Sequence, residues 1–165
     1  MARAFSRMIR RFSAAQDGVA LVEFALVLPM MLVVFAVMIE GSRMFISYQA
    51  AISGVRDAAR YLARVAPANI CDTGGNLAGY TAQLQTIVGK DRGGKGVLPG
   101  DVTLISVTPS HVCDDEGLRG GKVAVATVSA RVTIDFPFGG IFTLIGAEQA
   151  AVTTTITDRA RIFGT

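Results

Sequence analysis

Few residues in this 165-residue chain have the type and spacing to do chemistry. Glu23 lies five residues into the apolar run 19–39 (VALVEFALVLPMMLVVFAVMI), directly behind Gly18. A carboxylate in such a run costs free energy to insert into lipid and usually has a partner, or else snorkels toward the headgroups. Cys71 and Cys113 lack a CxxC spacing, which argues against a zinc site. Outside a reducing compartment they can form a disulfide. Over so long a loop a bridge stabilises by roughly 4 kcal/mol in the chain-entropy treatment; the alternative is two unrelated free thiols. The sole histidine opens the segment His111-Val112-Cys113-Asp114-Asp115-Glu116. Its acidic run lacks the spacing of a calcium loop, and one imidazole beside one thiol in sequence is not a positioned nucleophile–base pair. Residues 89–96 (GKDRGGKG) come close to a phosphate-binding loop. However, Gly96 stands where the magnesium-holding hydroxyl belongs, and Pro99 follows where a helix should run. No nucleophile elbow, zinc-protease helix or dinucleotide fingerprint is present. The expectation is therefore no catalytic residue, no metal, no cofactor and no enzymatic activity.

The elements that must hold these residues follow from composition. With 51% apolar and 18% charged residues, the chain is not disordered as a whole. Arg3, Arg7, Arg10 and Arg11 against Asp17 already account for the formal net charge of +3, and the remainder is neutral. The sequence pI near 9.2 thus belongs to an N-terminal tail. It does not describe a basic face for nucleic acid, and no nucleic-acid partner is expected. As a helix the run 19–39 spans about 30 Å, the thickness of a bilayer core. A chain this short could hardly cover such a helix all round. A cleaved secretory signal has a shorter apolar region and a small-x-small site, which the following EGSRMF does not offer. Four arginines precede the run and only Arg43 and Arg56 follow closely, so the N-terminus is expected in the cytoplasm and the bulk of the chain outside.

The order Gly18-Val19-Ala20-Leu21-Val22-Glu23-Phe24 behind an arginine-rich leader resembles a type IV prepilin signal, which a prepilin peptidase cuts after the glycine. The longer pattern is Arg10-Arg11-Phe12, Asp17-Gly18 and Val22-Glu23-Phe24-Ala25-Leu26-Val27-Leu28-Pro29. It resembles the TadE-like family, minor pilin-like proteins of the tight-adherence (Flp) pilus apparatus. The resemblance covers about residues 10–52; the rest of the chain carries no matching motif. It implies a pseudopilin with a leader over residues 1–18, processed between Gly18 and Val19. Such a protein sits in the bacterial inner membrane as a single-pass protein, N-terminus cytoplasmic and C-terminal domain periplasmic. Its implied partners are a prepilin peptidase, other pilin-like and inner-membrane pilus assembly proteins, and membrane lipid. Glu23 and Phe24 become assembly residues, the glutamate pairing with the N-terminus of a neighbouring subunit. Physical chemistry agrees with that role. Cutting leaves an ammonium on Val19, one helical turn from Glu23 on the same face, and a carboxylate there suits the positive end of the helix dipole. Pro29 has no N–H and should kink or loosen the helix near Ala25. The competing class is a signal-anchored extracytoplasmic module, ligand-binding or enzymatic, with an uncleaved N-terminus. Such an anchor needs neither Gly18 nor a buried carboxylate.

The helical pattern continues beyond the span. Phe45, Tyr48, Ile52, Val55, Ala59 and Leu62 recur at steps of three and four, an apolar seam of helical period. Arg56, Arg60 and Arg64 form a separate column that reads as a solvated face. One helix is expected from about 19 to 65, transmembrane over 19–39 and a stem over 40–66. The outer domain, 67–165, is expected to begin with a loop (67–79), a short helix (81–88) and a glycine-rich loop (89–100). Strands are predicted over 102–108, 123–135 and 149–157, with a polar loop over 109–122 and both cysteines in loops. On the clearest strand, Ala124, Ala126, Val128, Ala130, Val132 and Ile134 share one face. Three strands without intervening helices suggest an antiparallel sheet, and its apolar face and the stem's seam can cover each other. The predicted fold is α+β, a long transmembrane and stem helix packed on a small antiparallel sheet, pilin-like in outline.

Overall fold

The computed structural model describes residues 17–91, 93–115, 117, 122–142, 146 and 150–164. The leader arginines at 3, 7, 10 and 11, Glu116 and Gln149 lie outside the described residues. By its internal contacts the chain divides into two units, Met1–Glu40 and Gly41–Thr165. One helix, α1 (Asp17–Val65, 49 residues), contributes to both; at 1.5 Å per residue it is about 70 Å long.

In the first unit α1 runs without a break through Pro29. The large side chains on this part stand exposed on every side, Leu21, Phe24, Met30 and Met38 among them. Only 6% of the helix's most apolar window is buried, so within this chain it is not a core helix. It is long and apolar enough to cross a membrane.

In the second unit the same helix becomes one wall of a core. Ala51, Val55, Ala58, Ala59 and Leu62 are fully buried. They belong to one cluster with Leu84 and Val88 of a short helix, α3 (Thr81–Gly89), and with the inward face of the sheet. The sheet is an antiparallel meander in the order β1 (Val102–Asp114), β2 (Val123–Asp135), β3 (Ala151–Arg161). The central strand β2 has the bounds and the face that the alternation predicts, and its six even-numbered side chains from Ala124 to Ile134 are all buried. The apolar faces of helix and sheet are both rich in alanine, which lets backbones approach closely. Against α3 the approach is tighter still: a Cβ on Gly54 would lie 2.8 Å from the Val88 carbonyl oxygen.

The stem differs from the seam expected of it in its first turns. Phe45 is 63% exposed and Tyr48 is 38% exposed, whereas Ser47 is 1% exposed. From Ile52 onward the expected seam holds, with Val55, Ala59 and Leu62 fully buried and Ile52 packed against the core. In the first turns Ser47 and Ala51 face inward in place of Phe45 and Tyr48, because small residues there permit close packing. The buried Ser47 hydroxyl donates to the Asp101 carboxylate at 2.8 Å, tying the stem to the residue just before β1.

β1 is also longer than predicted. It continues through Pro109 to Asp114, replacing the first six residues of the expected loop. β1 pairs on one side only, so a proline costs it no ladder bond on its open edge. β3 likewise extends past the expected end at 157 to Arg161. Between β2 and β3, α4 (Gly139–Phe142) is a single turn within the apolar connection. The segment after α1 is partly helical: α2 (Ile70–Thr73) and a 3-10 turn (Ala78–Tyr80) interrupt the predicted loop.

The end of α1 is closed by its neighbours. Pro67 follows at once, and the residue before a proline avoids helical geometry. The last carbonyls nevertheless find donors: Leu62 from the Ala66 N–H at 2.9 Å, Ala63 from the Phe163 N–H at 2.9 Å, and Val65 from the Tyr80 hydroxyl at 3.1 Å. The chain's last described residues therefore cap its first helix. Gly164 makes this possible with a φ of 65°, and a Cβ there would collide with Ala68.

Two glycines of α1 should respond oppositely to alanine. Gly54→Ala forces the α3 backbone to move and should destabilise the outer unit by about 1–3 kcal/mol. Gly41, where a Cβ meets nothing within 4 Å, should gain up to about 1 kcal/mol from helix propensity alone. Thermal unfolding of the two variants followed by circular dichroism checks this; equal melting temperatures would refute the close-packing account of Gly54.

Candidate functional site

The residues singled out at the head of the span all lie on the exposed surface of α1. Gly18 sits in its first turn, and Val19, Glu23, Phe24 and Pro29 follow, all exposed. Val19 and Glu23 are one turn apart on one face, as helical spacing requires. Among the described residues none forms a hydrogen bond or ion pair with the Glu23 carboxylate. A Cβ at Gly18 would meet nothing within 4 Å, and its φ is not positive. The chain's own packing therefore does not require glycine at 18, although glycine in a helix costs about 1 kcal/mol relative to alanine. Nor, among the described residues, does it use the carboxylate at 23.

The cysteines are brought together. Cys71 on α2 and Cys113 on β1 form a disulfide with a Cα–Cα distance of 5.8 Å. Neither stands in the loop expected for it. Asn69 starts α2 by accepting the Thr73 N–H at 3.1 Å, and Gly74 ends it at a φ of 65°; Cys113 falls within the extension of β1. The bridge fastens the segment that leaves α1 to the end of an edge strand. His111 lies on the same strand, and its neighbour Cys113 is consumed by the bridge, so the two form no nucleophilic pair.

The glycine-rich near miss is a turn. Lys90 and Gly96 pair as an isolated antiparallel bridge, and the Asp91 carboxylate accepts the Lys95 N–H at 2.8 Å. Its glycines serve that reversal, with Gly94 at a φ of 80°. Among the described residues no three histidine, cysteine or acidic side chains converge as metal ligands would.

Sequence reasoning missed the groove between α1 and α3. It has a volume of about 820 Å³ and is bordered by Asp57, Arg60 and Arg64 of the stem and by Gln83, Lys90 and Asp91. Two of the three arginines in the predicted column thus edge a concavity, which their spacing alone could not reveal because its other wall lies thirty residues away. The Ser47–Asp101 bond was hidden in the same way; the only sequence signal was a polar residue in register with Ala51 and Ala58.

A long helix, bare and apolar in one unit and built into an α+β core in the other, is a candidate membrane anchor joined to a small disulfide-bonded domain. Residues 18–60, about a quarter of the chain, match the family model of TadE-like proteins. The match starts at Gly18 itself. No curated protein and no solved structure matches the chain.

The disulfide gives a direct prediction. Cys71 and Cys113 should resist alkylation until a reductant is added. Replacing both with serine should lower stability by roughly 4 kcal/mol for a loop of this length. Free labelling of both thiols in native, non-reduced protein, read by mass spectrometry, would contradict the bridge.

Proposed function

We propose that the protein is a pseudopilin of a tight-adherence (Flp) pilus system, anchored in the bacterial inner membrane and cut after Gly18 by a prepilin peptidase. The N-terminus is cytoplasmic and the disulfide-bonded domain periplasmic, where an oxidising compartment sustains the bridge. The observation that carries this reading is the pair of residues the fold leaves unexplained. Among the described residues Gly18 serves no packing contact and Glu23 has no partner, yet they stand at the spacing of a prepilin signal, at the start of the TadE-like match.

The mechanism is association without catalysis. Removal of the leader exposes the Val19 ammonium at the head of the apolar helix. Glu23, with Phe24 beside it, offers a carboxylate to the ammonium of a neighbouring pilin-like subunit, while the bare helix surface exchanges lipid for other helices. A buried ion pair fixes register because breaking one costs about 3–5 kcal/mol. The absent N–H of Pro29 leaves the Ala25 carbonyl without its helical donor, which loosens the helix one turn past Glu23. The remaining partners in this reading are inner-membrane pilus assembly proteins, and no cofactor is involved.

The N-terminus of membrane-extracted protein tests the proposal. In cells with the matching peptidase the mature chain should begin at Val19, and Gly18→Trp should leave it full length by filling the space beside the scissile bond. A chain still beginning at Met1 in such cells would refute processing and favour the uncleaved anchor with a ligand-binding or enzymatic module.

A further inference from the structure

We infer that the outward face of the sheet binds a linear polysaccharide bearing carboxylates. The inference rests on the composition and register of that face and is independent of the pilus reading.

The three strands set their outward residues in rows. Thr108, Ser129 and Thr157 form one row, and Thr103, Thr133 and Thr153 another. Cross-strand hydroxyl bonds at 2.9 Å (Ser129 to Thr157) and 2.8 Å (Thr133 to Thr153) hold the lattice. Between these rows Arg131 stands beside Thr155; Arg159 and Arg161 follow along β3, about 14 and 20 Å further on at strand rise. All three arginines are exposed, and none forms an ion pair among the described residues. Of the two carboxylates on this face, Asp135 lies beyond the Thr133–Thr153 row, and Asp114 lies at the Arg161 end but across β2 on the edge strand.

An ordinary solvated sheet face mixes lysine with glutamate and aspartate. This one has neither lysine nor glutamate on its strands. Threonine is stiff at χ1, so its hydroxyls lose little freedom when a ligand orders them. Hydroxyls both donate and accept, as sugar hydroxyls do. Guanidinium groups recognise carboxylates in bidentate fashion, and a file of them some 20 Å long suits an extended polyanion better than a compact anion. The strands carry no aromatic ring on this face, and the exposed ring of Phe163 just past β3 is covered by the Arg161 guanidinium 5.9 Å from its centroid, so charge supplies most of the affinity and a neutral glycan is disfavoured.

The test uses the full chain in detergent micelles with alginate as probe, and with neutral dextran and duplex DNA as comparisons. Wild-type protein should bind alginate in a salt-dependent manner and bind dextran and DNA at least about tenfold more weakly. The triple variant Arg131→Gln, Arg159→Gln, Arg161→Gln should lose about tenfold or more in alginate affinity. The triple variant Arg56→Gln, Arg60→Gln, Arg64→Gln, with the same change in net charge, should stay within about twofold. Thr155→Val keeps the β-branched shape and removes one hydroxyl, and should weaken binding about threefold. The inference is overturned if wild type does not bind alginate, if both arginine triples lose affinity equally, if Thr155→Val is silent, or if DNA binds as tightly as alginate.

Discussion

An apolar helix surface cannot remain in water, and among the described residues nothing covers the first half of α1. Each large aliphatic or aromatic side chain left bare forgoes about 1.5–3 kcal/mol, and more than a dozen stand exposed before Glu40. A bilayer meets that demand, and so does a bundle of like helices. The helical backbone satisfies its own polar groups in either setting, which is why one segment can pass from one to the other. What neither setting satisfies cheaply is a lone carboxylate. Glu23 therefore concentrates the specificity of a surface that is otherwise only greasy.

The second half of the same helix obeys a different rule. Its buried stripe mixes serine, alanine and glycine with Val55 and Leu62, so the sheet and α3 approach closely at Gly54 and the alanines while the two aliphatic side chains anchor the core. The far end is held three times over. The Cys71–Cys113 bridge ties α2 to β1, Tyr80 and Phe163 supply donors to the last carbonyls, and Gly164 lets the chain end fold back. A rigid outer unit of this kind can carry an exposed sheet face, and its regular lattice of hydroxyls and arginines depends on β2 being fixed from behind.

Much of this was legible in the residues. The extent of α1, the bounds and buried face of β2, the short helix at 81–89 and the antiparallel meander follow from period and punctuation, which are local signals. The stem seam was legible at Val55, Ala59 and Leu62 but not in its first turns, because Phe45 and Tyr48 outweigh Ser47 and Ala51 in any hydrophobic reading. Only the partner's closeness reveals that small residues face inward. The continuation of β1 past Pro109 was hidden by a rule that holds for central strands and relaxes at an edge. For the candidate site, Gly18, Val19 and Glu23 could be named from spacing. That the described residues make no use of them needed the structure, and it adds weight to the spacing.

The central claim is that Glu23 is held by a neighbouring subunit's N-terminus and not by this chain or by the headgroups. The most direct measurement is site-specific crosslinking of Glu23→Ala to neighbouring pilin-like subunits, with membrane insertion and leader cleavage followed in the same cells. The account predicts unchanged or improved insertion, normal cleavage and a loss of crosslinks, because the partner's ammonium is left unpaired among apolar helices. Crosslinking at the wild-type level, with insertion and cleavage intact, would contradict it and leave α1 as a hydrophobic anchor alone.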